Sequence, residues 1–358
     1  MNVRDLIVNT LLEISRMIGD IVEEDDVDVS EDVKGGVIEV EYVDNVIDKV
    51  SKYEPIDRRF WGLDASTRTL RVAGLDLMLV AGALVGSRVE ICPRLIDTRW
   101  IGIRPRCRAS RELENILEKL SSIFYTRSRF INKVFDGTFS EKTMQDEMRV
   151  SMENEMIRRW DGSGILLIDG PLFHTPKVIA TVESIYSNIY IGLIEERLDL
   201  LRGREDKVVC IVKRLTQSRY LARLEGLGAS DDYIAIIKAN KILKRSEVAS
   251  VYIGTLRLTV KIEDKYFEKY MGYLVSRIGS ALSVIRLETL NEDFLYEVKD
   301  QIAQLLTHNG VPKPIELADR TCKRACSSIF LYLWSITPLS PTYEGFESLV
   351  SSIRELAE

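Results

Sequence analysis

The chain has 358 residues, of which 46% are hydrophobic and 29% charged, a balance that supports a sizeable packed core and excludes overall disorder. Lys and Arg total 49 against 55 Asp and Glu, a formal net charge of -6. A globally basic nucleic-acid binder is thereby excluded, while a locally basic groove is not. 

The histidines are His174 and His308 alone, a poor supply for Ser-His-Asp hydrolysis or multi-His zinc sites. Any catalysis therefore falls to carboxylates and lysine. Five scattered cysteines (Cys92, Cys107, Cys210, Cys322 and Cys326) fit a reducing cytosol. Cys322 and Cys326 lack a second pair to complete a zinc site and read as thiols without a role. The first residues carry no apolar signal core, and no stretch approaches the roughly 20 apolar residues of a membrane span. The expectation is a cytoplasmic protein.

Residues 1–22 read as an amphipathic helix, with Leu6, Ile7, Leu11, Leu12, Ile14 and Ile18 on one broad face. An acidic run from Glu23 to Asp32 follows as a solvated connector. A short helical stretch from Val43 to Tyr53 completes an N-terminal helical extension, residues 1–58. Beyond it we expect one domain over 59–335 and a C-terminal tail or helix over 336–358.

From Arg59 the pattern turns to strands. Phe60–Ser66 carries Asp64 near its centre, and Leu70–Leu75, Leu77–Val85 and Arg88–Cys92 continue as an antiparallel meander. Ile101–Arg108 is a loop or edge strand with alternating Arg. Ser110 is placed to cap a helix striped by Leu113, Ile116, Leu117, Leu120, Ile123 and Phe124. A second helix, Glu141 to Trp160, is rich in Glu, Met and Arg.

Ile165–Ile168 is a continuous apolar run that ends at Asp169-Gly170-Pro171. Such a run reads as a central strand buried on both faces, delivering Asp169 to the C-terminal edge of the sheet. A long helix (Val178, Val182, Ile185, Ile189, Leu193) and a second apolar strand, Val208–Val212, complete a parallel crossover that ends at Lys213-Arg214. Strand-like stretches recur in Ser250–Val260 and Gly272–Leu287. Asn291 then caps a helix through Leu306, and Pro312 and Pro314 precede a final helix, Ile315 to Trp334, bearing Glu316 and Asp319.

Asp64, Asp169 and Asp319, with Glu153 or Glu155 on the preceding helix, are held where backbone geometry fixes them. Carboxylates gathered in one place repel, and a hard divalent ion such as Mg²⁺ or Mn²⁺ neutralises them. Two such ions activate water and stabilise the leaving oxygen in phosphodiester cleavage. Taken singly, each acid also reads as a cap or a surface group. Lys213 reads as a phosphate-binding ammonium or as a strand-end lysine. Arg94, Arg99, Arg104, Arg106, Arg108 and Arg111, interleaved with Trp100, and Arg127, Arg129 and Lys133 among Phe124, Tyr125 and Phe130, combine charge with stacking surface. That is how single-stranded DNA is gripped, and equally how a solvated basic edge reads.

The sequence resembles the NurA nucleases in Asp64-Ala65-Ser66, Ile168-Asp169-Gly170-Pro171-Leu172 and Val209-Cys210-Ile211-Val212-Lys213-Arg214. It does so again in Ile285-Arg286-Leu287-Glu288 and in the segment Gly310 to Asp319. The resemblance spans roughly residues 60–325. It implies an α/β fold with an RNase H-like core, a mixed central sheet flanked by helices. It implies a manganese-dependent (or Mg²⁺-dependent) DNA exo/endonuclease that is a homodimer, acts on single- and double-stranded ends, and works with the hexameric HerA translocase in archaeal DNA end resection.

By the same resemblance Asp64, Glu153, Asp169 and Asp319 are the metal ligands, Glu155 is the rival for Glu153, and Lys213 is the catalytic lysine. Arg104, Arg106, Arg108, Arg127, Arg129 and Arg214 are the expected DNA contacts. Ala65 stands where the family usually has Gly, Asp319 where it has His, and Val311 where it often has Tyr. These departures leave a second expectation open, a weakened nuclease-like subunit that binds and regulates the translocase. A third is an RNase H-like enzyme acting on RNA or branched DNA.

Overall fold

The structure, a computed structural model, describes residues 2–18, 37–50, 56–173, 184–243, 249–262 and 264–357. In chain order run helix α1 (Val3–Ile18) and strands β1 (Val37–Lys49), β2 (Phe60–Val72), β3 (Leu75–Val85), β4 (Val89–Cys92) and β5 (Ile101–Pro105). Helices α2 (Arg111–Leu120) and α3 (Glu141–Arg159), strand β6 (Ile165–Asp169), helix α4 (Ser184–Leu201) and strand β7 (Val208–Val212) follow. Then come α5 (Tyr220–Leu224), α6 (Asp231–Leu243), β8 (Ser250–Ile262), β9 (Lys265–Ile278), β10 (Ala281–Thr289), α7 (Glu292–Gln304), α8 (Lys313–Ile336) and α9 (Tyr343–Ala357).

The strands form one ten-stranded mixed sheet in the order β1-β8-β9-β10-β7-β6-β2-β3-β4, with β5 also on β3. The two apolar five-residue strands lie at its centre and run parallel to each other and to β2. Four of the five residues of each are buried, because helices cover both faces. On one face Trp61, Leu63 and Ala65 of β2 pack with Met144, Met148 and Met152 of α3 and with Ile189 and Leu193 of α4. On the other, Leu167, Val209, Ile211 and Leu287 meet Phe294, Leu295 and Val298 of α7 and Ile315 of α8. The expected caps form: Ser110 Oγ accepts from Leu113 N–H, and Asn291 Oδ1 from Phe294 N–H.

The N-terminal extension is corrected. Of the helix expected over Val43–Tyr53, Val43–Lys49 is instead part of strand β1, which pairs antiparallel along β8 and joins the main sheet, while 51–53 lie outside the described residues. The alternation of Val37-Ile38-Glu39-Val40-Glu41-Tyr42 and a cross-strand ion pair between Glu41 and Arg257 favour the strand. Helix α1 docks Ile7, Leu11 and Ile14 into a core shared with β3, β5, α2 and α8. The acidic run Glu23–Asp32 and His174 lie outside the described residues. Phe330 and Leu333 of α8 are buried, and Trp334 stacks on Phe330. Helices α5 and α6 fill the span between β7 and β8, for which the sequence pattern suggests no element. No helix among the described residues is long and apolar enough to cross a membrane.

Candidate metal centre

Gly62 and Asp64, two apart on β2, lie on the face covered by α8. A Cβ at Gly62 would lie 2.0 Å from the carbonyl oxygen of Pro314, so glycine is what lets the first turn of α8 rest directly on the strand. One turn later the same helix presents Asp319 and Cys322. Strand β6 lies parallel beside β2 with Leu63 opposite Ile168. The next residue on each, Asp64 and Asp169, therefore stand side by side. Gly170 turns the chain away with φ +101°, a conformation side chains rarely adopt. On β7, Ile211 faces Asp169, which puts Lys213 on the same face two residues further.

One carboxylate oxygen each from Asp64, Asp169 and Asp319 lies within 4.8 Å of the others. Asp64 is 7% exposed, and the other two are half-buried. Lys213 Nζ lies 2.6 Å from Asp169 Oδ2, and Lys323 Nζ lies 2.8 Å from Asp319 Oδ2. Asp64 Oδ1 accepts from the Ala65 N–H at 2.8 Å, and Oδ2 faces the Cys322 thiol at 3.4 Å.

Burial first, then the charges of Asp169, Glu153 and Asp319, push the Asp64 carboxyl well above its ordinary 3.8. Burial also raises Asp169, which Asp319 and Glu153 push further up and Lys213 pulls back. Burial beside these carboxylates drives the Cys322 thiol upward. A cluster that suppresses its own ionisation lacks positive charge. Its donors are hard oxygens, fitted to Mg²⁺ or Mn²⁺.

Glu153 is 2% exposed and stands outside that 4.8 Å group. Its Oε1 accepts from Arg149 at 2.9 Å and its Oε2 from Arg197 at 2.5 Å. It is nonetheless close enough to raise both Asp64 and Asp169. Glu155 turns away to pair with Arg158 and Arg159. A cleft of about 510 Å³ opens beside the cluster, lined by Lys213, Val311, Asp319, Arg320, Lys323 and Arg324.

The expected DNA contacts separate into groups. Arg104 is corrected: it is buried, ion-paired to Asp76 at 3.0 Å and bonded to the Phe139 carbonyl, so its guanidinium serves the core. Arg106 is half-buried against Asp76 and the Val72 carbonyl. Arg127 pairs with Glu118, and Arg129 with Glu196 and Ser151. Both of the latter line a second depression of about 300 Å³ with Trp100, Phe124 and Tyr125. Arg108 and Arg214 are exposed.

Arg149, Arg197, Cys322, Lys323, Arg320 and Arg324 also stand at the cluster or its cleft, with no role expected for them from the sequence. Arg149 and Lys323 had a signal, each standing four residues from an acid on one helix. Arg197 had none, since it reaches Glu153 from another helix.

The sequence model of the NurA domain matches residues 58–324. Among solved structures the fold is similar to the NurA nuclease from Sulfolobus solfataricus, with 12% identity, a TM-score of 0.48, and 82% of this chain and 88% of that one covered. A NurA with manganese gives 9% identity, a TM-score of 0.41, and coverage of 82% and 92%. A NurA bound to dAMP and manganese gives 10%, 0.38, and 75% and 86%. No curated protein matches the sequence.

Proposed function

The chain belongs to the NurA family, and on that premise we propose that it is a divalent-metal-dependent DNA exo/endonuclease that hydrolyses phosphodiester bonds. The observation that carries this reading is the convergence of Asp64, Asp169 and Asp319 within 4.8 Å beside a cleft whose walls carry Lys213, Arg320, Lys323 and Arg324 together with Glu316 and Glu355. Asp64, Asp169 and Asp319 would hold Mn²⁺ or Mg²⁺, with Glu153 beside them. When bound, divalent ions supply an activated water and charge stabilisation for the leaving oxygen.

The chain's own groups do the rest. Lys213 orients Asp169 and turns its ammonium toward the phosphate. Lys323 does the same at Asp319. Arg320 and Arg324 line the path of a phosphate backbone, with Arg108 and Arg214 as outlying contacts. Arg127 and Arg129, with Trp100, offer a stacking and charge surface for an unpaired strand.

An RNase H-like core over residues 59–335 is supported by the strand run β4-β3-β2-β6-β7, in which β3 alone of the inner three is antiparallel to β2. By family we assign a homodimer that acts on DNA ends with a hexameric HerA-type translocase in end resection. The second reading, a weakened subunit that regulates the translocase, is favoured by Val311 in the cleft wall and by the engagement of both Glu153 oxygens with arginine.

Purified protein incubated with linear single- and double-stranded DNA, with Mn²⁺ or EDTA, separates the two. The nuclease reading predicts Mn²⁺-dependent degradation that EDTA abolishes. Tight translocase binding with no metal-stimulated cleavage would establish the second.

A further inference from the structure

The segment Ile285-Arg286-Leu287-Glu288 contributes nothing to the carboxylate cluster, yet its last residue reaches the turn that carries Asp169. Glu288 and Lys269, on β10 and β9, are both wholly buried and pair at 2.7 Å. Glu288 Oε2 also accepts the Leu172 N–H at 2.8 Å. Lys269 Nζ donates to the Phe173 carbonyl at 3.3 Å and stands 4.5 Å from the centre of its ring. Arg286 holds the other oxygen, Glu288 Oε1, at 2.8 Å. From the helix side Arg197 donates to the Leu172 carbonyl at 3.4 Å and to Glu153 at 2.5 Å. A donor and an acceptor of one buried pair thus grip two consecutive residues of the turn leaving Asp169.

An apolar pair of similar volume would fill this space at comparable stability, since burying two charges costs much of what their attraction returns. It would not offer an acceptor to Leu172 or a donor to Phe173. What the charged pair adds is geometry: Gly170 gives the turn its freedom, and the pair removes it.

We propose that Glu288 and Lys269 are positioning residues that fix the Asp169 turn so that its carboxylate stands ready beside Asp64 for a divalent cation. The proposal rests on the nuclease reading and names a part of that site which touches neither metal nor DNA. Partners of this kind typically change metal affinity or activity by about 10–100-fold when removed.

The test compares the full chain with two double variants, chosen so that neither member of the pair is left charged without the other; Arg286, which loses the Glu288 carboxylate in both, keeps Asp231 at 3.9 Å and Ser218. Lys269→Met/Glu288→Leu removes both ties to the turn, and Lys269→Met/Glu288→Gln keeps an acceptor for Leu172. Mn²⁺ binding is read as the concentration giving half-maximal thermal stabilisation, apart from any cleavage assay. The expected result for the Leu variant is near-normal unfolding in EDTA, with a half-saturating Mn²⁺ concentration raised about 10-fold or more and a lowered kcat at unchanged KM for DNA. The Gln variant, which loses the Lys269 tie to Phe173 but keeps the acceptor for Leu172, should recover most of both yet stay below the unaltered chain; if the Leu variant does not fold, that shortfall is the readout, and a Gln variant with none would overturn the proposal. Mn²⁺ binding and kcat equal to those of the unaltered chain in a folded Leu variant, which lacks both ties, would overturn the proposal. If the unaltered chain itself binds no Mn²⁺ and cleaves no DNA, the nuclease reading falls and this proposal with it.

Discussion

Lys213 Nζ stands 2.6 Å from Asp169 Oδ2 across the parallel strands β7 and β6. The ammonium counters the burial and the neighbouring carboxylates that raise Asp169, and it also faces the cleft. Lys213→Met should therefore lower single-turnover DNA cleavage by about 10²–10³-fold, the scale found for loss of one preorganised electrostatic donor. Lys213→Arg should retain part of the rate. A Met variant that cleaves like the unaltered chain would remove Lys213 from the site.

Asp64 is almost wholly buried among carboxylates whose charges oppose its own. Asp64→Asn removes that repulsion. In EDTA the variant should be more stable by about 0.5–2 kcal/mol in denaturant unfolding, while Mn²⁺ no longer stabilises it. A loss of stability in EDTA would show that Asp64 is a structural carboxylate.

Gly62 sets the contact between β2 and the first turn of α8. Gly62→Ala would force the Pro314 carbonyl, 2.0 Å from the new Cβ, to move, at a cost of about 1–3 kcal/mol for overpacking. Because Asp319 rides on that helix, cleavage should fall further than stability alone explains. Unfolding and cleavage measured on the same preparation separate the two effects.

Much of the fold was legible in local pattern. The apolar runs at Ile165 and Val208, the caps Ser110 and Asn291, and the parallel crossover are set by neighbours in sequence. So are Asp64, within β2, and Asp169, at the end of β6, because strand alternation fixes the face to which each acid points. The strand β1 was read as helix because its identity comes from β8, some two hundred residues away in sequence. Arg104 read as a DNA contact among alternating arginines, since only the fold brings Asp76 and the Phe139 carbonyl to it. Arg197 and Glu288 were illegible as site residues for the same reason: their partners lie on other elements.

Glu288 supplies the pH prediction. Burial pushes its carboxyl up, but Lys269, Arg286 and the hydrogen bonds from Lys269 and Leu172 outweigh this and hold it below its ordinary 4.5. With the folded value below the unfolded one, the unfolded state binds more protons between them, so stability rises with pH through that window. The contribution is complete above about 4.5 and is lost as pH falls through the folded value. Lys269→Met/Glu288→Gln should therefore flatten this acid limb in urea unfolding followed from neutral pH downward. An unchanged acid limb would assign the loss to other carboxylates.

The central claim is that Asp64, Asp169 and Asp319 together hold a divalent cation. Anomalous diffraction from crystals of the unaltered chain soaked in Mn²⁺ tests it directly. The account predicts a peak at about 2.0–2.3 Å, the range for oxygen ligands of such ions, from oxygens of Asp64, Asp169 and Asp319. Full Mn²⁺ occupancy at another carboxylate group, with none at these three, would contradict it.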